Sequence, residues 1–149
     1  MNLFEPARLR LPPRSALSAP GRSSCDRLTN ASAQTVTVGQ GPLFPTFDGT
    51  NIWVPNYYES SVSVVRASTG ALVATLTGNG LNFPLEAAFD GQRVLVTNQQ
   101  GNSVSLWKAS DLTPLLSLST DPGTIPWGAC SDGVNFWVTL FGTGLLARF

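Results

Sequence analysis

The sequence has no histidine and few charged residues. None of its 149 residues is His, and only 12% are Asp, Glu, Lys or Arg. Without an imidazole the chain lacks the commonest general base and the commonest metal ligand, and it excludes catalytic triads that need one. Its two cysteines form neither a zinc-ligand spacing nor a redox motif. We therefore expect no metal and no cofactor.

Long apolar runs are also missing. The longest have the length of a β-strand, so no transmembrane span is predicted. The N-terminal stretch contains arginine and proline but lacks the apolar core of a secretory signal. Because it has too few apolar residues to offset the entropy of ordering, we interpret residues 1–33 as a disordered leader. A transit peptide and a misplaced start codon are the alternatives.

The charges are distributed unevenly along the chain. Residues 1–34 hold five arginines against two acidic residues, whereas residues 35–149 hold four basic and seven acidic residues. Nucleic-acid binding depends on clustered lysine and arginine, so a weakly acidic region argues against it. We therefore expect no nucleic-acid partner.

Several landmarks recur every 42 residues. They are Pro42, Pro84 and Pro126, followed by Asp48-Gly49, Asp90-Gly91 and Asp132-Gly133. A period of about 40–45 residues made of short strands is typical of a β-propeller, with one four-stranded blade in each repeat. We predict an all-β fold in which residues 34–149 form a partial β-propeller of antiparallel blades, with repeats that start near residues 42, 84 and 126.

Each repeat predicts four strands, A to D. Strand B is apolar at consecutive positions, which indicates burial on both faces. The predicted B strands are Asn51–Asn56, Arg93–Asn98 and Asn135–Leu140. The others are Phe44–Phe47, Leu85–Phe89 and Trp127–Ser131 for A, Ser61–Ala67, Ser103–Ala109 and Leu145–Phe149 for C, and Ala71–Thr77 and Pro114–Ser119 for D. Cys130 falls in a strand A, where we expect a packed core thiol.

The strand count predicts about three blades. Gln34–Gly39, with Val36 and Val38, is interpreted as a lone strand D that would complete the last blade. Closed propellers typically have four to eight blades, so we expect an open arc or part of a larger ring. Either the chain is a fragment of a longer protein, or two or more copies assemble as a homo-oligomer that completes the ring.

The segment Arg93–Asn98 followed by Gly101–Leu106 resembles the YVTN-type β-propeller repeat, and so does Asn51–Asn56 followed by Ser61–Val64. The opening from Pro84 to Gly91 is similar to repeats of the virginiamycin B lyase-like and NHL-like propellers. The resemblance covers residues 34–149. It implies a bacterial or archaeal repeat protein with a periplasmic or extracellular location, although no signal peptide is visible.

The chain departs from the family pattern at three positions. Pro55 replaces the threonine found at Thr97, Leu140 replaces the asparagine found at Asn98, and Glu86 stands where the family usually has glycine. The resemblance implies that lyase-like enzymes depend on a histidine, so this chain cannot repeat their chemistry. We interpret the departures as marks of decayed or peripheral blades.

The candidate ligand face is formed by the D–A and B–C loops. Its candidate residues are the carboxylate Glu86, the polar loop Asn98, Gln99 and Gln100, and the aromatic residues Tyr57, Tyr58 and Trp127. A carboxylate lining the channel suits a metal or acid–base role, amides suit hydrogen bonds to sugar or peptide, and rings suit an aromatic ligand surface. The structural alternative for the rings is packing between blades. Glu86 has no partner carboxylate in the other repeats, so paired-carboxylate chemistry is not supported.

Two functions follow from these observations. The first is a non-catalytic scaffold or binding module that takes a protein, a peptide or a small ligand at the loop face. The alternative is a segment of a lyase- or hydrolase-like propeller enzyme acting on a small molecule, with its catalytic groups on other blades. Absent histidine and low charge favour the first.

Overall fold

A computed structural model describes residues 33–149, so the predicted leader lies outside the described residues except for Ala33. The regular elements of this part are eleven β-strands and one short 3-10 turn, Tyr57–Glu59. The strands are β1 (Thr46–Phe47), β2 (Asn51–Asn56), β3 (Ser61–Arg66), β4 (Leu72–Leu76), β5 (Pro84–Phe89), β6 (Arg93–Asn98), β7 (Ser103–Lys108), β8 (Pro114–Ser119), β9 (Pro126–Ser131), β10 (Phe136–Leu140) and β11 (Leu145–Arg148). Across residues 33–149 no helix has the length and hydropathy needed to cross a membrane.

The strands form three antiparallel sheets in chain order. Sheet 1 has the order β1-β2-β3-β4, sheet 2 has the order β5-β6-β7-β8, and sheet 3 consists of β9, β10 and β11. Sheets 1 and 2 repeat the same register, since Asn51 pairs with Arg66 in one and Arg93 with Lys108 in the other. The predicted strand Phe44–Phe47 is shorter in the structure, where β1 is preceded by a single bridge between Pro42 and Asn56.

The core lies between neighbouring sheets. Trp53 and Val64 of sheet 1 pack against Val94 and Val96 of sheet 2, whereas Leu95, on the other face of β6, packs against sheet 3. Because β6 is covered on both sides, its successive residues are all apolar or uncharged apart from Arg93 at its start. The prediction of a strand B buried on both faces is confirmed for sheet 2.

The Asp-Gly turns are held by the aspartate side chain. Asp48 Oδ1 accepts hydrogen bonds from the backbone N–H groups of Thr50 and Asn51, at 2.8 and 2.6 Å, and Oδ2 accepts one from Trp53 Nε1 at 2.7 Å. Partial burial by itself would raise the pKa of Asp48, but these hydrogen bonds outweigh it and lower the pKa. Gly49 follows with a φ of +94°, which a residue with a side chain rarely adopts. The carboxylate is therefore a structural group of the turn.

A buried amide joins the second and third strands of sheets 1 and 2. In sheet 2 the Asn98 Nδ2 group donates to Ser103 Oγ at 3.2 Å and Ser105 Oγ at 2.8 Å. In sheet 1 the Asn56 Nδ2 group donates to Ser61 Oγ and Ser63 Oγ, both at 2.9 Å. The network repeats because the Asn…Ser-x-Ser pattern repeats.

Sheet 3 replaces this network with apolar side chains. Leu140, Leu145 and Ala147 occupy the positions of the asparagine and the two serines, and Leu140 packs in the core with Val138. All three polar groups are exchanged together, so no buried donor or acceptor is left without a partner. Leu140 is thus one of three matched apolar replacements within its blade.

Two sequence expectations are wrong in detail. No strand is formed over Gln34–Gly39; instead the Gly39 N–H lies 3.4 Å from Ser63 Oγ, so this segment crosses the face of sheet 1 rather than pairing along an edge. Cys130 is an exposed free thiol, because it pairs with Trp137 on the face of sheet 3 that no other described element covers.

Candidate functional site

The ends of the sheets form two rims with different loops. The loop rim contains the connections β2–β3, β6–β7 and β10–β11, together with the segments that lead into β1, β5 and β9. The turn rim, at the opposite end, contains the Asp-Gly turns and the connections β3–β4 and β7–β8. The predicted candidate residues all belong to the loop rim or to strand ends beside it.

Backbone hydrogen bonds connect the two loops of each sheet at the loop rim. They join Tyr57 N to Gly41 O, Gln99 N to Phe83 O and Phe141 N to Ile125 O, at 2.9, 3.0 and 3.1 Å. Neighbouring sheets are connected as well, since the Ile125 N–H donates to Asn102 Oδ1 at 3.0 Å. Loops held in this way present their side chains in a fixed arrangement.

An apolar cavity of about 300 Å³, here called the rim pocket, opens on the loop rim. It is lined by Gly41, Leu43, Phe44, Tyr57, Tyr58, Leu85, Gln99 and Trp127. Leu43, Leu85 and Trp127 occupy the same position of the 42-residue repeat, directly after its proline. They converge because the first strands of the three sheets are neighbours. All three sheets therefore contribute to one pocket.

Polar and aromatic contacts position the rings of the rim pocket. The Tyr57 hydroxyl donates a short hydrogen bond to Gln99 Oε1. The Tyr57 ring also packs edge-on against Tyr58 and Phe83, with ring centres 5.2 and 4.9 Å apart. Tyr58 is nevertheless 71% exposed and Trp127 39% exposed. These rings are therefore held in place while a large part of their surface stays open.

The structure brings four of the seven candidate residues together. They are Tyr57, Tyr58, Gln99 and Trp127. Asn98 lies elsewhere: it is fully buried, and its amide is used by the serine network. Gln100 is exposed at the rim outside the pocket, where its carbonyl accepts from Asn102 at 3.5 Å.

The apolar half of the pocket was not among the residues predicted from the sequence. Phe44 and Leu85 were predicted only as strand residues, and Leu43 was not singled out. The signal that identifies two of them is the repeat itself, since one step of 42 residues back from Trp127 gives Leu85 and a second gives Leu43.

Glu86 lies beside the pocket, on β5 next to Leu85. Burial raises the pKa of its carboxyl, and a hydrogen bond from the backbone of Ala129 partly offsets the rise. Its Oε2 atom stands 3.5 Å from where a β-carbon of Gly128 would be. The Glu86 carboxylate of sheet 2 therefore lies against the backbone of sheet 3 at Gly128.

Charge is segregated between the two rims. The four basic residues of the described part all lie at the turn rim: Arg66, Arg93, Lys108 and Arg148. Four of its acidic residues lie there too: Asp48, Asp90, Asp111 and Asp132. The remaining three, Glu59, Glu86 and Asp121, lie in loop-rim connections or at the loop-rim end of a strand. The loop rim is consequently acidic and the turn rim neutral.

A larger cavity of about 600 Å³ lies between sheets 1 and 2 at the turn rim. Two of its cationic side chains are already paired, since Arg93 and Lys108 each lie 2.7 Å from an aspartate of the same turn region. Among residues 33–149 no three His, Cys, Asp or Glu side chains are grouped to hold a metal ion. The rim pocket is therefore the better candidate for a ligand site.

Solved structures similar to this chain share its arrangement of sheets. One is the WD40 β-propeller domain of Doa1, at 14% identity and a TM-score of 0.56, covering 67% of this chain and 33% of that one. The fold is a β-propeller. A catalytically inactive virginiamycin B lyase from Staphylococcus aureus, with quinupristin, gives 14% identity and a TM-score of 0.62 over 73% of this chain and 37% of that chain. The predicted all-β class of antiparallel blades is confirmed.

A third similar structure is hydrazine synthase of Kuenenia stuttgartiensis, at 24% identity and a TM-score of 0.59, covering 71% of this chain and 31% of that chain. At such identities the likeness shows the fold alone. This β-propeller chain spans about a third of the length of each of the three structures. No family model matches the chain, and no curated protein sequence matches it.

Proposed function

We propose that this chain is a non-catalytic binding module of YVTN type that holds a peptide segment of a partner protein at its loop rim. The rim pocket carries the proposal, because it joins open aromatic surface to a few positioned polar groups. Ligand sites commonly have this composition, and binding energy at interfaces is concentrated in tyrosine and tryptophan.

The polar group of the pocket suits a peptide. Gln99 Oε1 is used by the Tyr57 hydroxyl, so the Gln99 amide N–H₂ group remains to donate to an incoming carbonyl. A peptide offers such a carbonyl at every residue, together with side chains that fit an apolar cavity.

Selection of peptides from a random display library tests this function. Peptides that bind the wild-type chain are titrated against Trp127→Ser and against Leu115→Ser, a matched control that changes an exposed apolar residue of β8 away from the pocket. We expect loss of at least about tenfold in affinity for Trp127→Ser and no change for the control. Selected peptides that bind both variants as tightly as wild type contradict the proposal.

We propose further that the exposed face of the third blade is covered by another blade, from a longer polypeptide or a second copy. Val62 and Val104 occupy one repeat position and are fully buried, whereas Leu146 at the same position is 61% exposed. A larger ring would bury it in the same way. Light scattering tests the second copy: a monodisperse monomer of this chain contradicts the homo-oligomer.

A segment of a propeller enzyme is the second candidate function. Glu86 favours it, because a half-buried carboxyl with a raised pKa beside a pocket suits a general acid. A panel of small-molecule lyase and hydrolase substrates tests this candidate, with conversion followed by chromatography. Conversion that is lost in the Glu86→Gln variant would favour the enzyme. An absence of conversion by the wild-type chain would favour the binding module.

A further inference from the structure

We infer that the rim pocket takes a cationic side chain, a lysine or an arginine, of the peptide that binds there. This inference rests on the proposed function, since it names the chemistry of the group that the pocket receives. Three observations on the loop rim carry it, and each concerns a different property of the site.

The first observation is the aromatic lining. Phe44, Tyr57, Tyr58 and Trp127 supply four rings around one cavity of about 300 Å³. The face of an aromatic ring attracts an ammonium or guanidinium group that lies within about 6 Å of its centre. A lysine or arginine also has an aliphatic stem that fits against apolar side chains such as Leu85.

The second observation is the charge around the cavity. No lysine or arginine of residues 33–149 lies at the loop rim, and Glu59, Glu86 and Asp121 all lie there. The net charge of the described blades is therefore concentrated on the side that carries the pocket. A cation is attracted to this rim and an anion is repelled from it.

The third observation is the position of Glu86. It follows Leu85, which lines the pocket, and its Oε2 atom reaches toward Gly128, the neighbour of Trp127. The half-buried carboxylate has no ion-pair partner among residues 33–149. Glu86 does not line the pocket itself, so its negative charge acts on a bound cation through the field at the loop rim.

Analogues of side chains test the inference without knowledge of the natural peptide. The probes are n-butylammonium, n-propylguanidinium, neutral n-butanol and anionic butyrate, each titrated against the whole chain and followed by shifts of amide resonances. We expect the two cations to bind about fivefold or more tightly than butanol, and butyrate to bind most weakly. Raising the salt concentration should weaken the binding of both cations and leave the binding of butanol unchanged.

Two variants assign the effect to residues. Glu86→Gln should lower the affinity for n-butylammonium about two- to fivefold and leave butanol unchanged, whereas Asp111→Asn at the turn rim should alter neither. Butanol binding as tightly as the cations would overturn the inference while leaving the apolar pocket and its proposed function in place. Absence of resonance shifts at the pocket with every probe would overturn both.

Discussion

The buried asparagine networks allow a graded test of what holds the blades together. Asn98 makes three hydrogen bonds: two from its amide nitrogen to Ser103 and Ser105, and one accepted by its Oδ1 from the Asn82 N–H at 3.3 Å. Asn56 makes only the two serine bonds, and its Oδ1 is buried without a partner. Truncation to alanine should therefore cost more in the second blade than in the first.

The expected magnitudes follow from counting partners. Asn98→Ala removes three hydrogen bonds of about 1 kcal/mol each and leaves the Asn82 N–H without its acceptor, for a loss of about 4 kcal/mol. Asn56→Ala removes two such bonds, and because its Oδ1 has no partner, no further group loses its acceptor. The expected loss is about 2 kcal/mol. Both asparagine side chains are fully buried, so solvent cannot replace their bonds to the serines in the folded state.

Urea unfolding of the two variants, followed by tryptophan fluorescence, measures this difference. With a slope of about 1.5 kcal/mol per molar urea, the midpoint of Asn98→Ala should lie roughly 1 M below that of Asn56→Ala. The slope itself should not change, because the same surface is exposed on unfolding. Equal midpoints, or a lower midpoint for Asn56→Ala, would refute the assignment of stability to the hydrogen-bonded network.

Two further predictions concern the carboxylates. Asp48→Ala removes the acceptor of two backbone N–H groups and of the Trp53 indole, so we expect a loss of about 2–3 kcal/mol in urea unfolding at pH 7, with the exposed Glu59→Ala unchanged as control. Because the pKa of Asp48 is lowered in the fold, its contribution is present above the ordinary value of 3.8 and is lost as pH falls further. Glu86→Gln should raise the urea midpoint at pH 7, since the raised pKa of Glu86 means that its charge destabilises the fold. That gain should vanish below pH 4.5, where the carboxyl is protonated in both states; a lowered midpoint at pH 7 would contradict it.

The repeat predicted the bounds of the second strand in sheets 1 and 2. Asn51–Asn56 and Arg93–Asn98 have the predicted bounds, because consecutive apolar residues closed by turn residues leave little choice of conformation. The segment Gln34–Gly39 carries valines at alternate positions, Val36 and Val38, but crosses a sheet face instead of forming a strand. Gly39 at its end donates a hydrogen bond to Ser63 of sheet 1, a contact that local pattern does not reveal.

The candidate site was predicted in part. Tyr57 and Gln99 were chosen for their chemistry, but their hydrogen bond joins residues 42 positions apart and follows only once the blades are placed side by side. Asn98 was chosen as a ligand group because its loop is polar, whereas its burial beneath the loop is a tertiary property. The acidic character of the loop rim could have been predicted from the strand order, because that order assigns each charged residue to one end of a strand.

Amide resonances of the chain, recorded during titration with a selected peptide, show directly whether ligands bind at the rim pocket. We expect the largest shifts at Gly41, Tyr58, Gln99 and Trp127. Shifts concentrated instead around Arg66 and Lys108, at the turn rim, would contradict this expectation.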